Sequence, residues 1–244
     1  MPHARGVASA FLDILAPGFC RRCGLDLPGG ADGFCSSCLA TVAWIGGACP
    51  RCAMPLASPP PPGSPLVECG WCLGRNLRFD LAAAGGAYDG ALRSAILGYK
   101  FHGDRGCVPL IREALLRAAT SGVAAPVVAR AGAIAPVPQH FLKRLRRGWD
   151  PVGDLALDLS RSLHLPVASL LAKTRSTPSQ VSLPESARRR NLRGAFAVRA
   201  RSRVPPVVIL LDDVLTTGTT VSRAALVLKR AGAETVLVLV AARS

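Results

Sequence analysis

Eight of the nine cysteines in this 244-residue chain fall in four C-x-x-C pairs: Cys20/Cys23, Cys35/Cys38, Cys49/Cys52 and Cys69/Cys72. Their spacing reads C-x2-C-x11-C-x2-C and then C-x2-C-x16-C-x2-C. A C-x-x-C turn sets two thiolates on one side of a tight backbone knuckle, and two facing knuckles complete a tetrahedron about one zinc ion. Gly24, Gly33 and Gly70 beside the pairs are candidates for the positive-φ positions of such knuckles. Four protein ligands leave no position open for water, so two structural Zn2+ sites are expected. Thioredoxin-like redox pairs are the main alternative, but those occur singly in an α/β setting rather than four to a loop-rich segment. Cys107, the ninth, reads as a buried structural thiol rather than a nucleophile.

A second constellation lies in residues 207–221, VVILLDDVLTTGTTV. A hydrophobic strand delivers Asp212 and Asp213 at its carboxyl end, where ligands gather in parallel sheets. Thr216, Thr217, Gly218, Thr219 and Thr220 then open a helix. Gly218 permits a tight turn, while the free N–H groups and the helix dipole favour an anion. This is a phosphate cradle next to an acidic pair. Carboxylates repel phosphate, so the pair must face vicinal sugar hydroxyls or Mg2+, and a ribose 5-phosphate satisfies both halves. A strand running into a capped helix would need only one of these polar residues.

Alternating strand and helix signals set these residues in place. An apolar run over 81–88 precedes helices at 89–100, after an Asp cap, and 108–119. A short buried strand at 132–137 precedes a helix at 151–163 and a weak strand at 166–171. Residues 172–191 are polar and basic, reading as a loop. A buried strand at 207–211, a helix at 219–231 closed by Gly232, and a strand at 235–240 complete the pattern. Such alternation implies an α/β fold with a parallel sheet covered by helices. The expected division is a double zinc ribbon over 1–76, with a short N-terminal helix, followed by an α/β domain over 77–244. Pro59, Pro60, Pro61 and Pro62 form a stiff extended loop of the ribbon, of undetermined role.

The chain carries 30 basic and 15 acidic residues, a net charge of +15. Residues 1–73 are neutral on balance, whereas 139–203 hold fourteen basic and four acidic residues. That concentration predicts polyanionic partners, phosphates on a nucleotide or along single-stranded DNA; the alternative is a solvated face. The apolar run at 236–242 is far short of the roughly 20 residues of a spanning helix, so no membrane span is expected. Asp13 interrupts the opening apolar stretch and no small-x-small cleavage site follows, which makes the cytoplasm the expected compartment.

The segment LLDDVLTTGTT resembles the phosphoribosyl pyrophosphate motif of type I phosphoribosyltransferases. With the cysteine pairs, YDGALRSAILGYKFHGD (88–104), PVPQHFLKRLRRG (136–148) and SQVSLPESARRRNLRGAF (179–196), the chain resembles the ComF family of competence proteins over nearly its whole length. The resemblance implies a type I phosphoribosyltransferase-like sheet flanked by helices, and a link to DNA uptake and natural transformation. It implies that Asp212 and Asp213 bind the ribose 2′ and 3′ hydroxyls. The five residues from Thr216 to Thr220 would bind the 5-phosphate, and Val137 and Pro138 would approach the pyrophosphate. One departure is plain: the family's usual Arg-Gly-Phe-Asn-Gln reads Arg147-Gly148-Trp149-Asp150-Pro151 here.

Turnover would displace pyrophosphate from ribose C1 through an oxocarbenium-like transition state. Lys173 and Arg175 are the candidate catalytic cations, with Arg144 and Arg147 behind them and Mg2+ accompanying the pyrophosphate. Some purine phosphoribosyltransferases carry a carboxylate at the position of Thr216, and a threonine is no general base at neutral pH. His102, His140 and His164 read as structural. Three functions stay open: a phosphoribosyl pyrophosphate-binding protein serving DNA uptake, an active salvage or biosynthetic phosphoribosyltransferase, and a nucleic-acid adaptor with a vestigial pocket.

Overall fold

Nine-residue apolar strands that alternate between two helix-covered faces fix the architecture, a computed structural model that describes residues 18–27, 33–57, 69–139, 148–174 and 194–244. Strand β3 (Leu81–Ala87), β4 (Ala133–Pro136), β7 (Val207–Leu215) and β8 (Thr235–Arg243) form one sheet in the order β3-β8-β7-β4, parallel throughout. The expected α/β fold with a parallel sheet is therefore the observed one.

Alternation along the strands splits the core. Ile209, Leu211, Leu237 and Leu239 face α2 (Gly90–His102), α3 (Val108–Ala119) and α5 (Pro151–Leu163). Val208, Leu210, Val236 and Val238 face α6 (Thr219–Arg230) and the antiparallel pair β5 (Leu171–Lys173) and β6 (Phe196–Val198). A short helix α4 (Ala125–Val128) leads into β4. Asp89 caps α2, its Oδ1 accepting from Gly90 N at 2.7 Å, and Gly103 ends that helix at φ 69°. Glycine at 85 is required by contact: a Cβ there would lie 2.0 Å from the Ala114 carbonyl oxygen of α3.

Trp149 and Asp150 both have structural work. Asp150 caps α5 through Gly153 N, and Trp149 meets Tyr99 edge-on at 4.6 Å between ring centroids.

The cysteine-rich segment is stitched to the sheet. Ala87 N donates to Ala43 O at 2.8 Å, Ile45 N donates to Gly85 O at 3.0 Å, and Trp44 bridges Gly86. Residues 43–45 thus run along the outer edge of β3, leaving one cysteine cluster on each face of the sheet. The first is framed by the hairpin β1 (Gly18–Phe19) and β2 (Asp26–Leu27) and by the helical turn α1 (Ser36–Leu39). On the far edge, Ile134 N donates to Pro166 O and Ala168 N to Ile134 O, both at 2.9 Å.

Knuckle geometry differs in part from expectation. Gly24 and Gly33 take positive φ, but Gly70 does not; Gly74 and the non-glycine Ala53 (φ 57°) occupy the left-handed positions instead. The expected N-terminal helix, the proline tract, His140, Arg144, Arg147 and Arg175 lie outside the described residues.

Candidate functional site

Asp212 and Asp213 sit near the carboxyl end of β7, as the strand pattern predicts. Asp212 Oδ1 accepts from Asp213 N at 2.9 Å, and Asp213 Oδ1 accepts from Val214 N at 2.8 Å. Pro136 pairs in register with Leu211, and Val137 N donates to Leu211 O at 2.9 Å. Strand pairing therefore brings Val137 level with the start of the acidic pair, and Pro138 follows it.

Sequence reasoning missed the cation that meets this pair. Lys100, in the last turn of α2, donates from Nζ to Asp213 Oδ2. Burial alone would lower the ammonium's pKa, but the charges of Asp213 and Asp212 overcome it and raise the value. At Asp212, burial and the charge of Asp213 push the carboxyl up to about 7, with Lys100 pulling the other way. Lys173, at the end of β5, exerts a weaker pull of the same sign on Asp212, and its ammonium lies 5.8 Å from the Phe196 ring centroid. Lys100 left no local signal, because its partner is 113 residues away.

The turn from β7 to α6 has the expected form. Gly218 caps α6 at φ 72°, and Thr217 and Thr219 share a hydroxyl hydrogen bond of 3.0 Å. A Cβ at Gly218 would point to Leu77, Leu215 and Phe79 at 3.5–3.7 Å, ordinary packing distances. Glycine is needed there for its backbone conformation, not to clear space for an anion.

Beneath the turn lies Arg243, 3% exposed. Its Nη1 donates to Leu215 O at 2.9 Å and Thr216 O at 2.8 Å, and its Nε donates to Cys52 O at 3.0 Å. One buried guanidinium therefore ties the turn to the second cysteine cluster.

Both clusters fit zinc. The sulfurs of Cys20, Cys23, Cys35 and Cys38 lie within 4.8 Å of one another, as do those of Cys49, Cys52, Cys69 and Cys72. Sulfur separations are 3.7 Å for Cys23–Cys35, 3.8 Å for Cys49–Cys72 and 3.4 Å for Cys52–Cys69. Zn–S bonds near 2.3 Å in a tetrahedron set sulfurs about 3.8 Å apart, and a disulfide would need about 2.05 Å. Backbone N–H groups point at sulfur, from Cys35 to Cys20 at 3.3 Å and from Cys38 to Cys35 at 3.4 Å. Burial opposes ionisation at Cys20, but the backbone donors of Cys23, Cys35 and Arg22 bring its thiol down to about 6. At Cys72, burial and the Cys69 thiol push the value up to about 12.

Cys107 is buried as expected, and burial raises its thiol to about 11. His102 and His164 are exposed, at the carboxyl ends of α2 and α5. Among the described residues, no helix is long and apolar enough to cross a membrane.

No family model matches the chain. DNA utilization protein YhgH of Escherichia coli O157:H7 is 31% identical over 231 residues, covering 92% of this chain and 96% of that protein. The protein of the same name from Salmonella typhi is 29% identical over the same 231 residues, with the same coverage of 92% and 96%. Competence protein F of Haemophilus influenzae is 29% identical over 174 residues, 70% of this chain and 76% of that one.

Proposed function

Because the chain belongs to the ComF family of competence and DNA utilization proteins, we propose that it binds phosphoribosyl pyrophosphate and serves DNA uptake from the cytoplasm. The observation that carries the ligand is the juxtaposition on β7 and α6 of two acids with a hydroxyl-rich helix start. Asp212 and Asp213 accept from the ribose 2′ and 3′ hydroxyls. The 216–220 turn takes the 5-phosphate through backbone N–H groups and threonine hydroxyls. Val137 and Pro138 approach the pyrophosphate, whose charge Mg2+ neutralises.

The charge of Lys173, which helps lower the Asp212 pKa, favours a second reading, turnover. Lys173, with Arg175, then stabilises the departing pyrophosphate, and Arg144 and Arg147 back them. The names of the relatives support the DNA-uptake role. The proposed division, a ribbon over 1–76 and an α/β domain from 77, gives the ribbon the part of a metal-held cover on β3.

The test is calorimetric titration of phosphoribosyl pyrophosphate with Mg2+. Charge-assisted hydrogen bonds contribute about 1.5–3 kcal/mol each, so Asp212→Asn combined with Asp213→Asn should weaken binding at least tenfold. Gly218→Val should also lose binding, because a β-branched residue resists φ 72°. Equal binding by the double Asn variant, with circular dichroism showing it folded, would overturn the assignment. Release of pyrophosphate with a set of nitrogenous bases separates turnover from binding.

A further inference from the structure

Arg243 is a buried cation whose seat is made by segments far apart in sequence. Its Nε donates to Cys52 O at 3.0 Å, and its guanidinium lies over Trp71, 4.3 Å from the ring centroid. Cys52 closes one C-x-x-C pair of the second cluster, and Trp71 lies inside the other, between Cys69 and Cys72. The remaining bonds go to the far side. Nη1 donates to Leu215 O at 2.9 Å and Thr216 O at 2.8 Å, where β7 gives way to the 216–220 turn, and also to Ser244 O.

The two C-x-x-C pairs meet through their four sulfurs, so the seat formed by Cys52 O and the Trp71 ring is whole only while both pairs hold one metal ion. A guanidinium is a planar, rigid fork, and its bonds on one side fix the direction of those on the other. A buried charge that loses a partner has no water to replace it. Packing joins the same places. Cys49, Cys52 and Cys72 share a core with Leu77, Phe79 and Leu215, which line the side of Gly218 where a Cβ would stand. The first cluster lies across the sheet from this core.

We infer that Arg243 is a positioning residue through which zinc at the second cluster fixes the shape of the 216–220 turn. Loss of that metal frees the two C-x-x-C pairs from each other and parts Cys52 O from Trp71. The guanidinium then loses its seat, and the Leu215 and Thr216 carbonyls lose a fixed donor. A turn so released opens more often. This ordering of the turn needs no ligand. Its consequence for phosphoribosyl pyrophosphate rests on the proposed function: with the 5-phosphate on the turn, metal and ligand strengthen each other's binding by the same factor, because coupling between two sites is reciprocal.

The experiment is amide hydrogen exchange on the full chain, read by mass spectrometry over the 216–220 turn and, for comparison, over β4. Zinc-loaded wild type is compared with Cys49→Ser, Cys23→Ser, Arg243→Met and the Cys49→Ser/Arg243→Met double variant, with zinc content and circular dichroism reporting on folding. Exchange at the turn should be faster by about fivefold or more in Cys49→Ser and in Arg243→Met, with β4 unchanged. Cys23→Ser, which disrupts the first cluster, should leave the turn as in wild type. A residue that merely fills space would add its effect to that of metal loss, whereas the double variant should exchange no faster than Arg243→Met alone. Should Arg243→Met misfold, Arg243→Lys keeps the charge without the fork and should still loosen the turn. A turn unmoved by Cys49→Ser or by the arginine variants, moved equally by Cys23→Ser, or loosened additively in the double variant would overturn the role of Arg243. Calorimetric titration of phosphoribosyl pyrophosphate with Mg2+ then reads the coupling, as binding about fivefold weaker to Cys49→Ser than to wild type. Equal binding by the two, with the turn loosened, would overturn the placing of the 5-phosphate on the turn. Absence of binding by wild type, with the exchange pattern as expected, would overturn the proposed function alone.

Discussion

Lys100 and Asp213, 113 residues apart, form an ion pair that joins the end of α2 to the carboxyl end of β7. Asp213 is 8% exposed and borders a second acid, and the charges of both carboxylates favour the protonated lysine. Lys100→Met should cost about 1–3 kcal/mol, the usual penalty for orphaning a buried charge reduced for the partly exposed lysine. Chemical denaturation of Lys100→Met, Asp213→Asn and the double variant checks this. The double variant should lose clearly less than the sum of the two, and simple additivity would refute the pairing.

Burial and the charge of Asp213 push the Asp212 carboxyl up to about 7 in the folded chain, against about 4 in an unfolded one. Above pH 4 the unfolded state releases this proton first, so the residue's contribution to stability falls as pH rises from about 4 to about 7. Asp212→Asn removes that cost. Its denaturation midpoint should exceed that of wild type by more at pH 8 than at pH 5. An equal difference at both values would mean the carboxyl is not held up by burial.

Metal content should be about two zinc ions per purified chain. Because the two clusters occupy opposite faces of the sheet, Cys49→Ser should lower the content to about one without emptying the first cluster. Elemental analysis decides, and the loss of both ions together would show the clusters to be coupled.

Gly85→Ala drives a methyl group into the α3 backbone at Ala114. The expected loss is 1–3 kcal/mol or more, typical of overpacking about a rigid neighbour. Gly122→Ala, with nothing within 4 Å of its added carbon, should stay within about 0.5 kcal/mol of wild type. Thermal melts of the pair make the comparison.

Single-stranded DNA should bind through the basic stretch at 139–203, with its fourteen basic and four acidic residues. The logarithm of affinity should fall with that of salt concentration by roughly 0.7 per phosphate contact. Binding that ignores salt, or that selects strongly among sequences, would exclude a phosphate-contact mode.

What could be read from sequence is what local pattern determines. Helices at 108–119 and 151–163 were legible to the residue because periodic apolar positions and a proline or capping residue mark their ends. Strand β7 reaches Leu215, beyond the predicted 211, because β8 continues alongside it and keeps pairing past the two acids. The acidic pair and the hydroxyl-rich turn announce themselves in one contiguous segment. Lys100 and Arg243 do not, since each gains its meaning from a neighbour brought near by the sheet or by the cysteine knuckles. Gly70 misled for the converse reason: the left-handed position falls wherever the knuckle closes, and that was at Gly74.

Residues 43–45, lying along the rim of β3, bear on colloidal behaviour. An open strand rim is a template on which a second chain can add its own strand, and here the strip that blocks it hangs between two thiol knuckles. Zinc bound at the two clusters would therefore guard the protein against its own copies. Stripped by a chelator, the chain should uncover β3 and self-associate into β-rich aggregates while its central strands remain paired.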